Sequence, residues 1–107
     1  MKKRKTKRAD SIIQEDKYCL ICYLFDGQYN YLDLECHHCL HGTANKAQAD
    51  RLGLWIWLCP AHHRTGKDAV HRDKEIDIRI ERIAQASYEK KIGDRESFMR
   101  IFGKNYL

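Results

Sequence analysis

No apolar segment opens this chain, and no hydrophobic run approaches the length needed to cross a bilayer; the longest, Leu54-Trp55-Ile56-Trp57-Leu58, suits a buried strand. These absences argue against an exported or membrane-spanning protein and predict a soluble, cytoplasmic one, in the host cytoplasm if the chain is phage-encoded. Internal repeats are also missing, as are low-complexity segments beyond a basic start. Cysteines are not scarce, but their number, five, is odd, and they sit in CxxC spacing or beside histidine. That pattern favours metal binding in a reducing compartment over disulfides.

With 107 residues the chain is expected to form one small core that gains from a metal staple. Its net charge of +5 is unevenly placed. Lys2, Lys3, Arg4, Lys5, Lys7 and Arg8 carry the surplus, and the rest of the chain holds 14 basic against 15 acidic residues. Residues 1–10 therefore read as a flexible arm able to neutralise phosphates, with a salt slope of about −5 if all six charges met duplex phosphates. A merely solubilising tail is the plain alternative.

Ser11 to Lys17 lacks a periodic signal and reads as a short helix or irregular lead-in. Tyr18 to Phe25 places Cys19 and Cys22 in an apolar stretch that reads as a metal-knuckle turn. After the Asp26-Gly27 turn, Tyr29 to Glu35 alternates apolar and polar residues, predicting a strand that ends at the doublet His37-His38. Lys46 to Leu52 predicts a short helix stopped by Gly53, Leu54 to Leu58 a second extended segment, and Pro60 the first turn of a helix bearing His62 and His63. From Asp73, an N-cap, the pattern becomes helical. Ile76, Ile80, Ile83, Ala84 and Ser87 form one stripe, with Lys74, Glu81, Arg82 and Glu89 on the opposite side, and Gly93 as the stop. A last helix runs from Asp94 to Gly103. The expected architecture is α+β: a zinc-stapled core over residues 11–72 and a helical extension over 73–107.

The ligand supply exceeds what one ion can use. Structural zinc takes four ligands, commonly as two short-spaced pairs. Cys19 with Cys22 supplies one pair and Cys59 with His62 the other; a rival set would use Cys36 and Cys39 as the second pair. His37, His38 and His63 are left over. Neighbouring residues of a strand face opposite ways, so His37 and His38 can do different work, one on a metal and one on water or substrate. An open metal site beside an imidazole base suits phosphodiester hydrolysis. Trp55 and Trp57 read as core rather than as base-stacking platforms, and His41 and His71 as loop residues, with His71 a reserve ligand.

The segment Cys19 to His63, with CxxC, a strand ending in His-His and then Leu-Cys-x-x-His-His, resembles the HNH or ββα-metal (His-Me finger) endonucleases, in particular the small zinc-containing versions of bacteriophages. The resemblance implies a ββα-metal core and DNA as substrate, in phage DNA processing or recombination. It implies Cys19, Cys22, Cys59 and His62 on structural Zn²⁺, and His37 and His63 on a catalytic Mg²⁺ or similar ion. It further implies His38 as general base. The family's base-orienting Asn has no counterpart at its usual place; Asn45 is the preferred substitute and Asp50 the other candidate. The alternative function is a non-catalytic, zinc-stabilised nucleic-acid-binding or adaptor module.

Overall fold

A computed structural model describes residues 8–107; the arm residues Lys2, Lys3, Arg4, Lys5 and Lys7 lie outside the described residues. The chain runs α1 (Leu20–Asp26), β1 (Glu35–His38), α2 (Thr43–Leu52), β2 (Trp55–Leu58), a π-helical turn (Ala61–Thr65), α3 (Lys74–Lys91) and α4 (Arg95–Phe102). It is a small α+β fold on a two-stranded antiparallel sheet, in which Glu35 pairs with Leu58 and His38 with Trp55.

The strand expected over Tyr29 to Glu35 is displaced towards the C-terminus, so that the histidine doublet lies inside β1 and not beyond its end. β2 offers only four residues, all matched to Glu35–His38, and nothing remains to pair Tyr29 to Leu34. Asp33 also adopts a left-handed conformation (φ 52°), which ends extended geometry just before β1.

Two isolated strands are marginal in water, and here the sheet is covered on several sides. The lead-in 9–14 straps β2: Ser11 Oγ donates to the Trp55 carbonyl, Trp57 N donates to Gln14 Oε1, and Trp55 Nε1 donates to the Ala9 carbonyl. Gly53 follows α2 at φ +75°, where a Cβ would stand 2.2 Å from the Asp10 carbonyl oxygen, so the strap requires glycine there. Ile21, Leu40, Leu54, Ile56, Leu58, Ile80 and Phe98 are buried, joining the sheet to the helical extension.

Both predicted caps hold. Asp73 accepts from the backbone of Glu75 and Ile76, and Asp94 accepts from Ser97 N. One assignment on α3 is corrected: Glu81 does not face solvent with Lys74 and Arg82, but is only 8% exposed. The helix is covered over more than one stripe, since Gln85 binds Asn105 and Tyr106 on the side away from the Ile76 and Ile80 contacts. Among the described residues no helix is long and apolar enough to cross a membrane.

Candidate metal centre

Cys19 is the N-cap of α1, Cys22 lies in its first turn, Cys59 directly follows β2 and His62 occupies the π turn. Chain folding gathers the four ligand atoms within 4.8 Å of one another. His62 Nδ1 stands 3.6, 3.3 and 3.4 Å from the sulfurs of Cys19, Cys22 and Cys59, and the sulfurs of Cys22 and Cys59 are 3.9 Å apart. A tetrahedron built with Zn–S of about 2.3 Å and Zn–N of about 2.0–2.1 Å has edges of about 3.5 Å (S to N) and about 3.8 Å (S to S). The cluster can therefore hold a metal ion and is compatible with structural zinc.

Burial pushes the Cys19 thiol up and the Cys22 thiol up to about 12, so without a cation the sulfurs stay protonated; a bound ion reverses that preference. The Asn30 amide points at Cys22 Sγ from 3.7 Å, and Cys19 N donates to the Asn30 carbonyl, tying the following loop to the cluster. The rival cysteines stand apart. Cys39 is fully buried in the core, and Cys36 lies on the side of Arg8 and Asp50.

A second cluster combines His37, His63 and His71, with ligand atoms again within 4.8 Å. The ring centroids lie 5.2 Å apart for His37 and His63, 5.2 Å for His37 and His71, and 4.7 Å for His63 and His71. His37 is 2% exposed, and its Nε2 is a buried polar atom with no hydrogen-bond partner among the described residues. Such an atom carries a desolvation cost of roughly 1–3 kcal/mol unless something binds it. Burial, followed by the neighbouring imidazoles of His63, His71 and His41, lowers its pKa to about 3. The ring is therefore neutral at neutral pH, the form that binds metal.

His63 Nδ1 donates to Glu35 Oε1 at 2.8 Å, leaving Nε2 as its free ring nitrogen. Arg64 holds the same carboxylate through two contacts of 3.1 and 2.8 Å. The Arg64 guanidinium first, and His63 second, hold the Glu35 carboxyl down at about 2. An imidazole held by a carboxylate is oriented and made more basic as a ligand. Glu35 was overlooked in the sequence, although strand alternation places it on the same face as His37.

His71 arrives because the chain doubles back after the π turn. Gly66 N donates to the Ala61 carbonyl, and a Cβ on Gly66 would stand 2.6 Å from that oxygen. Val70 N then donates to the His62 carbonyl and His71 N to the His63 carbonyl.

His38 faces away from this cluster, as alternation requires, and its Nε2 donates to Asp50 Oδ1 at 2.7 Å. Asn45, in the first half of α2, instead donates to the His41 carbonyl at 2.8 Å. The structure thus brings His37 and His63 together with His71, and separates His38 from all three. Arg8, the one described basic residue of the arm, lays its guanidinium 4.3 Å from the Trp55 ring centroid, while Lys17 Nζ sits 4.3 Å from that of Trp57. No protein-family description, curated protein or solved structure matches this chain.

Proposed function

We propose that the chain is a metal-dependent endonuclease of the HNH, ββα-metal type, hydrolysing DNA phosphodiester bonds at the three-histidine cluster while a structural zinc on Cys19, Cys22, Cys59 and His62 braces the fold. The observation that carries the reading is the unpartnered Nε2 of His37, buried between the imidazoles of His63 and His71. Support comes also from the order of parts: a strand bearing the doublet, an antiparallel partner, then a helical turn bearing the next histidine.

His37, His63 and His71 are the groups that would hold the catalytic ion, and three imidazoles suit a nitrogen-accepting divalent metal such as Zn²⁺ or Ni²⁺ better than Mg²⁺. When bound, that ion supplies charge stabilisation at the scissile phosphate and leaving oxygen. Glu35 and Arg64 keep the His63 ring in place. His38 is the general base of this reading: its Nε2–H is held by Asp50, so Nδ1 is the nitrogen free to accept a proton from water. Asp50, rather than Asn45, is the residue that orients it. The basic arm supplies phosphate contacts.

The second reading, a zinc-stabilised nucleic-acid-binding or adaptor module, is favoured by one observation: His38 stands on the face of β1 opposite His37. A supercoiled-plasmid assay run across Mg²⁺, Mn²⁺, Ni²⁺ and Zn²⁺ separates the two. Nicking by the native chain should fall about 100-fold or more in His37→Ala and in His38→Ala. A native chain that never nicks leaves the binding module. Nicking that survives His38→Ala and is lost in His37→Ala removes His38 from the chemistry.

A further inference from the structure

α3 carries two carboxylates one turn apart, Asp77 and Glu81, a like-charge pair that by itself disfavours the helix. Glu81 is 8% exposed, yet among the described residues it makes no ion pair. His41 faces them, its Nε2 lying 2.9 and 2.8 Å from the two oxygens of Asp77. Ligand atoms of His41, Asp77 and Glu81 all fall within 4.8 Å of one another. The Asn45 amide fixes the backbone that presents His41. This cluster adjoins the three-histidine one, since the rings of His37 and His41 meet edge to face at 6.1 Å.

We propose that His41, Asp77 and Glu81 form a second divalent-cation site, contiguous with the three-histidine site, so that the two adjoining clusters take up two ions of different preference. Two carboxylates and one imidazole suit a hard to borderline ion such as Mn²⁺ or Mg²⁺, whereas three imidazoles favour a more nitrogen-seeking metal. A 2+ charge offsets the two carboxylates and gives the buried Glu81 the cation it lacks. In binding, the ion takes His41 Nε2 in place of the proton that faces Asp77, and that proton moves to Nδ1 of the same ring. The inference concerns ion uptake and stands whether or not the chain hydrolyses DNA.

The test is Mn²⁺ titration of the purified full chain by calorimetry, with elemental analysis of zinc. Native protein should take up one Mn²⁺ that Glu81→Gln and Asp77→Asn either lose or bind at least about 10-fold more weakly, with zinc content and circular dichroism unchanged. His37→Ala should keep that equivalent. Equal Mn²⁺ uptake by the native chain and both carboxylate variants would overturn the site. Loss of every Mn²⁺ equivalent in His37→Ala would overturn the two-ion arrangement in favour of one shared ion. Absence of plasmid nicking, with the Glu81-dependent uptake intact, counts against the nuclease reading alone.

Discussion

Gln14 shows how one side chain can organise a segment with no pattern of its own. It is 5% exposed, donates from Nε2 to the Tyr18 carbonyl at 2.7 Å and accepts from Trp57 N at 2.8 Å. Gln14→Leu keeps the volume and leaves two half-buried backbone groups unpaired, so a loss of about 1–3 kcal/mol is expected in urea unfolding. An unchanged midpoint would show that water replaces both contacts. At Glu35 the expected effect is on ligation: Glu35→Ala frees the His63 ring and should weaken metal uptake at the three-histidine site about 10- to 100-fold, read by titration, with little change in zinc content. Neither residue stands out in the sequence, because a glutamine after Ile13 or a glutamate after Leu34 is ordinarily a solvated residue. The signal for Glu35 was present all the same, two positions before His37 on an alternating strand.

Among the elements, the α3–α4 corner was the most legible, because caps and apolar spacing are local properties. Asp73 and Asp94 both cap as expected. The corner also has a definite response to acid. The backbone and side chain of Ser97 hold the Asp94 carboxyl below its ordinary value, and Gln85, then Arg95, do the same for Glu89. A carboxyl whose folded pKa is depressed contributes its stability above the ordinary carboxylate range and loses it as pH falls through the folded value. Thermal midpoints should therefore drop as pH is lowered through the carboxylate range, and Asp94→Asn should show a shallower drop, measured by circular dichroism. Equal slopes would exclude Asp94 as a contributor. The burial of Glu81 was not legible, because a helical wheel reports one stripe and cannot show that a C-terminal tail and a histidine loop cover the neighbouring faces. The short β1 was hidden for a related reason: alternation marks what suits a strand, while a strand's length is set by its partner.

At the scale of the molecule, the sheet has two strands of four residues each among the described residues, and the Cys19, Cys22, Cys59 and His62 cluster ties α1 to the end of β2. Structural zinc in small domains is worth about 10–16 kcal/mol, comparable to the entire stability of a domain. Removing metal with a strong chelator should therefore abolish the cooperative thermal transition and expose Trp55 and Trp57, seen as a red shift in fluorescence. A chelated chain that still melts cooperatively at the same temperature would show that apolar packing alone suffices. The arm makes a separate prediction. Deleting residues 1–7 removes five basic charges and keeps Arg8 on Trp55, so the salt slope of DNA binding should flatten by about 4–5 if all of them meet phosphates. An unchanged slope would leave the arm out of binding.

What the amino-acid order determined by itself was the supply and local spacing of ligands: a CxxC pair, a Cys-x-x-His pair and two histidine doublets, together with the caps of the last helices. These depend on neighbours along the chain, and the physics of a turn or a strand acts over a few residues. Tertiary structure alone decided which ligands share a site. The reversal after Gly66 carried His71 to His63, the pleat of β1 sent His37 to those two and His38 to Asp50, and the packing of α3 against the loop after β1 set His41 over Asp77 and Glu81. Those partnerships join residues distant in sequence, and their geometry is fixed by packing that no local pattern records.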